Sequence, residues 1–407
     1  MQFEGVWQRA WVEIDLDALC ENFRCVKAAL SPSTKLCCVV KANAYGHGAV
    51  TVAKLYESLG ADFFAVSNLE EALELRLGGI TLPILNLGYA TPESAAILAA
   101  HRISQCVFSK EYAEALSEAA RTASVTVKIH LKLDSGMGRI GFSIRHSETM
   151  DRVLQEIETV LSLPALEREG VFTHFAMSDM GAEGDAYTRE QFRLFSEALA
   201  KLSQRGFTFP IRHAANSAAI FDYPEMHLDM VRAGIVLYGY PPSGALRRLP
   251  TLTPALSLKG VVDMVKTVET GDSVSYGGMF VAEKPTRVAT VPIGYADGFW
   301  RRLTQVTPRF ALGRETVGLI GRICMDQCML DVSAIPNVKV GDTVTFYGGE
   351  GESVASLAER LDTISYELIT ALGERLPRVY YRNHKLVALT NRILPAGYPI
   401  GEENPKA

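Results

Sequence analysis

The sequence predicts an α/β fold with two parts: an N-terminal (β/α)8 TIM-like barrel over residues 1–245 and a mainly β domain over residues 246–407. Three observations predict it. Short apolar runs at 36–41, 62–66, 82–87, 103–107, 126–133, 169–175, 209–213 and 234–238 alternate with helix-patterned stretches such as 68–77, 109–121 and 186–202. Eight such units in succession suit a closed barrel better than an open sheet. Beyond Tyr238-Gly239-Tyr240-Pro241-Pro242-Ser243-Gly244 a Pro/Gly-rich stretch leads into alternating β segments at 287–295, 315–320, 328–333 and 384–389, with helical patterning confined to 354–361 and 366–376. Finally, 407 residues exceed what a single hydrophobic core usually organises.

Composition narrows the function classes. Hydrophobic residues make up 48% of the chain, yet no uninterrupted apolar run approaches the roughly 18 residues of a membrane span. Met1-Gln2-Phe3-Glu4-Gly5 has neither the basic start nor the apolar run of a secretory signal, so a cytoplasmic location is expected. A formal net charge of -5 and the lack of a basic stripe speak against nucleic acid and anionic lipid. Seven cysteines, two of them adjacent in an apolar run, read as free thiols. Cys324 and Cys328 have metal-like spacing but no second pair or Cys/His doublet, so no metal site is expected.

The first strand carries the leading candidate. Val39-Val40-Lys41-Ala42-Asn43-Ala44-Tyr45-Gly46-His47-Gly48 places Lys41 where a buried run meets a glycine-spaced loop. Desolvation there pushes an ammonium toward the neutral, nucleophilic form that can make a Schiff base. Strand five, Lys128-Ile129-His130-Leu131-Lys132-Leu133-Asp134, alternates strictly and puts Lys128, His130, Lys132 and Asp134 on one polar face. Ser135-Gly136-Met137-Gly138-Arg139 then delivers Arg139 to the rim, where a guanidinium suits a carboxylate. His213-Ala214-Ala215-Asn216-Ser217 ends strand seven, and Val231-Arg232-Ala233-Gly234-Ile235 precedes strand eight. Barrels often cradle phosphate with the loops of this region.

In the second part, Gly271-Asp272-Ser273-Val274-Ser275-Tyr276 and Gly341-Asp342-Thr343-Val344-Thr345-Phe346-Tyr347 are two similar turn-to-strand entries, the second one residue longer. Counted along strands, that offset sends Tyr276 and Tyr347 to opposite faces, so only one is expected at a site.

Taken together, these runs resemble the bacterial alanine racemase family. The likeness rests on 39–48, His130 to Arg139, Thr173-His174-Phe175-Ala176, Asn216-Ser217, Val274-Ser275-Tyr276-Gly277, Pro292-Ile293-Gly294-Tyr295-Ala296-Asp297-Gly298 and Cys324-Met325-Asp326, in that order over nearly the whole chain. The resemblance implies a pyridoxal 5'-phosphate (PLP) enzyme that interconverts L- and D-alanine, supplies D-alanine for peptidoglycan, and works as a homodimer with shared active sites. It implies Lys41 as the cofactor lysine and the base for the D-enantiomer, with Tyr276 as the base for the L-enantiomer. Racemisation needs two such groups, because the proton leaves one face of the substrate and returns to the other.

Arg232 would face the pyridine nitrogen and leave it unprotonated, unlike the acid of aminotransferase-like enzymes. His174 would relay Arg232 to Tyr276 through a cationic link. Asn216 would join the cofactor site, and phosphate would fall to Tyr45, Ser217, Tyr366 and the amides of Gly234 and Ile235. Arg139 and the Met325 amide would take the substrate carboxylate, with Lys132 carbamylated to orient Arg139. Tyr295, Arg301, Arg322 and Asp179 would shape the entrance. Ser135, Ala215 and Ala233 depart from the family's usual threonine, cysteine and proline. The alternatives are a serine or broad-specificity racemase, a non-catalytic PLP-binding barrel protein, and a PLP decarboxylase.

Overall fold

The computed structural model describes residues 9–394. Eight parallel strands, labelled here β1 (Lys35–Val39), β2 (Phe63–Val66), β3 (Ile84–Asn86), β4 (Ile103–Val107), β5 (Val127–Asp134), β6 (Leu166–Phe172), β7 (Ile211–His213) and β8 (Met230–Ala233), pair in sequence, and β8 returns to β1. The seam between β7 and β8 is bridged where the Asp229 amide donates to the Arg212 carbonyl (3.1 Å) and the Arg232 amide to the Ala215 carbonyl (3.0 Å). The result is a nearly closed eight-stranded barrel. β2, β3 and β4 are buried on both faces because helices cover the outside, which is why they do not read as clean alternations of apolar and polar residues.

Two of the three expected barrel helices start where the sequence signals predict, and the third, Ala182–Gln204, starts four residues before the expected 186–202. Asn68 caps Leu69–Leu77 by accepting from the Glu71 amide, and Ser109 caps Lys110–Thr122 by accepting from the Tyr112 amide. One expected element differs. The apolar run 234–238 is a fully buried 3-10 helix, Ile235–Tyr238, and the eighth strand lies just before it. Both segments are buried, but Arg232 interrupts the apolar run in the true strand, and periodicity alone cannot tell the uninterrupted run that follows from a strand. Arg232 is therefore inside β8, and Gly234 and Ile235 follow the strand's end.

The described residues up to Leu19, Tyr45–Gly48 and those from Pro254 onward form a second compact unit, separate from the barrel unit of Cys20–Ala44 and Ala49–Thr253. The reading that put everything before residue 245 in the barrel thus differs at two places. Ala10–Asp15 pairs antiparallel with Leu256–Val261 and parallel with Arg378–Arg382, inside a ten-stranded sheet. Short N-terminal strands carry no sequence mark of which sheet they will join. The strands Leu256–Val261, Met264–Val268 and Arg309–Leu312 were also not anticipated, being short or weakly alternating. Phe299, Phe310 and Phe346 pack edge to face in this unit's core, at 4.9 Å (Phe299 and Phe346) and 4.8 Å (Phe310 and Phe346) between ring centroids. Among the described residues no helix is long and apolar enough to cross a membrane.

Candidate active site

In the barrel unit the expected residues gather at the C-terminal strand ends, where barrel chemistry is carried. Lys41 follows β1, Arg139 follows β5, His174 follows β6, Asn216 and Ser217 follow β7, and Arg232 occupies β8. The chain beyond Lys41 takes an unusual path. Ala42, Asn43, Ala44 and Tyr45 all have φ between 50° and 54°, a left-handed turn built without glycine. Two side-chain contacts hold it: the Ala42 amide donates to the Glu71 carboxylate at Oε1 (2.6 Å), and the Asn43 carboxamide Oδ1 accepts from the Ala49 amide at 2.9 Å. Glu71 Oε2 also accepts from the Ser67 amide at 2.8 Å, so one carboxylate ties the turn after β1 to the turn after β2. Glu71 was missed by sequence reasoning, although Asn68 and Glu71 stand at capping-box spacing.

Lys41 is half-buried, and its amine is held below the ordinary lysine range, chiefly by desolvation and then by the Arg139 charge, with Glu71 opposing. Lys132 goes further. It is 2% exposed, its Nζ has no hydrogen-bond partner among the described residues, and it stands 4.7 Å from the Phe172 ring centre. Burial first, and Arg232 next, lower its pKa to about 7. The polar face of β5 accordingly fills the barrel interior, where His130, Lys132 and Asp134 are buried while Lys128 emerges at the strand's start.

Asp134 shapes the following loop. Its Oδ1 accepts from the amides of Gly136 and Gly138, both at 3.1 Å, and its Oδ2 is gripped by Arg145 at 2.6 Å. Arg139 is carried on this anchored loop and is exposed.

Arg232 is buried, and both of its terminal nitrogens are hydrogen-bonded. Nη2 donates to the carbonyls of Thr173 (2.8 Å) and Ala214 (3.0 Å) and to His174 Nδ1 (3.3 Å), while Nη1 donates to His213 Nδ1 (2.9 Å). Burial lowers it only to about 10, so it keeps its charge near neutral pH. His174 is pushed well below the usual histidine range by burial and then by Arg232. The positive charge therefore resides on the arginine, and the expected cationic relay contains a neutral imidazole. Since Nδ1 faces an arginine N–H, that imidazole presents its proton at Nε2.

Ser217 Oγ accepts from the Gly234 amide at 2.8 Å, joining two expected phosphate donors. Asn216 caps Ser217–Asp222, accepting from the Ala219 amide (3.1 Å) and from Ser178 Oγ (3.0 Å). Asp179 is half-buried, with its carbonyl accepting from Ser243.

The second unit collects the other candidates. Tyr276 is 68% exposed on a turn that begins at Ser275, φ 70°, whose hydroxyl donates to the Arg322 carbonyl at 2.6 Å. Tyr347 is fully buried, so the two similar entries do part company. The cause is sharper than the count suggested: the first chain leaves its strand after Val274, whereas the second continues as Thr343–Tyr347. Tyr295 and Met325 share a turn, with the Tyr295 amide donating to the Cys324 carbonyl (3.1 Å) and the Ala296 amide to the Met325 carbonyl (3.0 Å). Gly294 permits this approach, since a Cβ there would lie 2.3 Å from the Met325 oxygen. Asp297, fully buried, binds Arg9 through both oxygens at 2.8 and 3.0 Å and so secures the same turn. Tyr366 packs on Tyr45 at 5.9 Å between ring centres, and Arg301 is exposed at the start of Arg301–Gln305.

The alanine racemase N-terminal domain pattern matches residues 14–242, and the C-terminal domain pattern matches residues 255–380. The chain belongs to the alanine racemase family. It is 45% identical to the alanine racemase of Desulfovibrio desulfuricans over 91% of this chain and 97% of that one. Among solved structures, alanine racemase from Clostridium difficile 630 superposes with a TM-score of 0.89 at 40% identity, covering 95% of this chain and 99% of that chain. Alanine racemase from Bacillus anthracis with bound L-Ala-P gives 0.88 at 37%, covering 96% and 99%. Alanine racemases are PLP-dependent isomerases that interconvert L- and D-alanine, and the activity of this chain is alanine racemisation.

The residues present fit such a cofactor. A depressed amine at Lys41, a buried guanidinium at Arg232 and the hydroxyl–amide pair of Ser217 and Gly234 supply an attachment point, a fixed donor and an oxygen-binding edge at one end of one barrel.

Proposed function

We propose that this chain racemises alanine by a two-base mechanism on PLP held by Lys41, with Tyr276 of a partner subunit completing each site in a homodimer. The observation that carries the reading is the depressed, half-buried Lys41 amine set beside a cationic cluster of Arg139, Lys132 and Arg232. When bound, the cofactor supplies an electron sink for the substrate's α-carbon.

The protein's own groups do the rest. Lys41 would exchange the proton on the D face and Tyr276 on the L face, while Arg139 and the Met325 amide bind the carboxylate. Arg232, buried and charged, would meet the ring nitrogen as a donor that cannot surrender its proton, which favours return of the proton to the α-carbon. Neutral His174, with its proton at Nε2, would be the link between Arg232 and the Tyr276 phenol. Tyr45, Ser217, Tyr366, Asn216, Gly234 and Ile235 would hold the phosphate side. Tyr295, Arg301, Arg322 and Asp179 would line the way in. A cytoplasmic location accords with this chemistry.

The unpartnered, buried Lys132 amine supports carbamylation. An anionic carbamate would balance the neighbouring cations and give Arg139 a partner.

The test uses the PLP-loaded enzyme in deuterated water with L- and D-alanine. Exchange of the α-proton with both enantiomers, together with racemisation, is expected. Absence of both in cofactor-loaded protein overturns the reading, and turnover chiefly of serine or lysine overturns the substrate. Lys41→Ala should lose the covalently held cofactor and its visible absorption. Retention of attached cofactor with full racemisation would remove Lys41 from its role.

A further inference from the structure

We propose that Glu169, in β6, is a positioning residue for Arg232 that acts through His130 and His213 along a one-directional hydrogen-bonded chain inside the barrel. The inference rests on the reading of Arg232 as the group that meets the cofactor ring.

The chain is continuous. Arg232 Nη1 lies 2.9 Å from His213 Nδ1, His213 Nε2 lies 2.8 Å from His130 Nδ1, and His130 Nε2 lies 3.1 Å from Glu169 Oε2. Glu169 also accepts from Ser104 and, at 2.9 Å through Oε1, from Lys128.

Donor and acceptor roles then follow without freedom. A guanidinium can only donate, so His213 Nδ1 must accept. A neutral imidazole that accepts at Nδ1 carries its proton at Nε2 and gives it to His130 Nδ1. His130 in turn carries its proton at Nε2 and gives it to the carboxylate. Both imidazoles are fully buried and pushed below the ordinary histidine range, foremost by that burial. Glu169 is held as an anion, with its pKa lowered to about 2 by bonds to His130, Ser104 and Lys128 that overcome its burial.

The rings cannot turn away to find other partners. Phe172 stacks on His213 at 4.8 Å between centroids and 9° between planes, and Phe63 meets His130 edge-on at 5.9 Å. Gly170 leaves the space His130 occupies, since a Cβ there would lie 2.3 Å from His130 Nδ1.

Without the terminal acceptor, a buried His130 N–H would have no partner in the chain, so the tautomer with its proton at Nδ1 loses its disadvantage and becomes populated. His213 must then accept at Nε2 and carry its own proton at Nδ1, directly facing an arginine N–H. Two donors at 2.9 Å repel, and Arg232 is displaced from the mouth of the barrel. Glu169 thus fixes, through two tautomers, where the guanidinium stands. It does so from beside the starts of β4 and β5, where it lines a cleft of about 230 Å³ with Lys128 and Glu167.

The experiment compares wild type, Glu169→Leu and Glu169→Gln. The glutamine keeps a carbonyl oxygen for His130, whereas the leucine keeps only bulk. In ¹⁵N-histidine-labelled protein without added cofactor, wild type and Glu169→Gln should show His130 and His213 protonated at Nε2, and Glu169→Leu should show mixed or reversed tautomers. In the loaded enzyme, Glu169→Leu should lower kcat about tenfold to a hundredfold with KM for alanine within about twofold, and Glu169→Gln should recover most of the loss. If Glu169→Leu does not fold, His130→Phe breaks the chain one link further in and carries the same kinetic expectation. Unchanged tautomers in Glu169→Leu, or kcat losses that follow Tm equally in the leucine and glutamine variants, overturn the proposal. A wild type that shows the expected tautomers but does not racemise alanine instead overturns the functional reading beneath it.

Discussion

Lys132 places an unpaired amine where lysines rarely sit, and its consequences belong to a single side chain. A pKa of about 7 against an ordinary 10.5 means that the unfolded chain binds this proton more tightly throughout that interval. The sign is then fixed: the unmodified lysine penalises the fold least above pH 10.5 and progressively more as pH falls toward 7. In carbon-dioxide-free buffer the unfolding free energy should decline over that window, and Lys132→Met should flatten the decline when measured by chemical denaturation. With ¹³C-bicarbonate supplied near pH 8, a carbamate resonance should appear in wild type and vanish in Lys132→Met. Its absence in wild type would leave Arg139 without the proposed anion. Lys41 and Arg139 were legible as candidates from strand-end position and residue type, and Arg232 only through the family resemblance. Glu71 and Glu169 were not, because their partners lie on neighbouring strands, turns and helices that only the folded barrel brings together.

Among elements, the left-handed turn 42–45 and the loop 135–139 are the two that aim side chains. Each non-glycine residue in the left-handed region carries strain of about 1 kcal/mol, and three of the four lack the amide side chain that eases it. Ala42→Gly should therefore stabilise the protein by up to about 1 kcal/mol, read from the denaturation midpoint at unchanged slope. Destabilisation would show that the turn is not strained at that residue. The other loop hangs from Asp134, whose carboxyl is held below the usual range by the Gly138 and Gly136 amides and Arg145 against the penalty of burial. Asp134→Asn should cost about 1–3 kcal/mol and raise KM for alanine by loosening Arg139, with kcat less affected. The stability that Asp134 adds is present above its unfolded pKa near 4 and lost as pH falls through its lower folded value. Most strands and helices were readable from apolar runs and caps. The eighth strand was displaced by several residues, because both segments are buried and Arg232 interrupts the apolar run at Met230–Ala233, which leaves the uninterrupted Ile235–Tyr238 to read as the strand.

For the whole molecule, the second unit exposes Tyr276, Met279, Tyr295 and Met325, large side chains that a soluble surface seldom leaves uncovered. If each site takes Lys41 from one subunit and Tyr276 from another, the inactive variants Lys41→Ala and Tyr276→Phe should complement when unfolded together and refolded as a mixture. Random pairing restores one good site in half of the dimers, so recovery should approach roughly a quarter of wild-type activity. No recovery would mean that each chain completes its own site.

The barrel and the β domain were foreseeable from texture, but the allegiance of Ala10–Asp15 was not. That strand lies between Leu256–Val261 and Arg378–Arg382, so a segment near the start of the chain waits for one near its end. During synthesis the barrel segment is complete before the last strands leave the ribosome, and until Arg378–Arg382 arrives Ala10–Asp15 is an uncovered edge of the sheet. The unit that carries Tyr276 is then the last to gain its full sheet, and a chain cut short of Arg378 would present Ala10–Asp15 as a bare edge open to pairing with another chain.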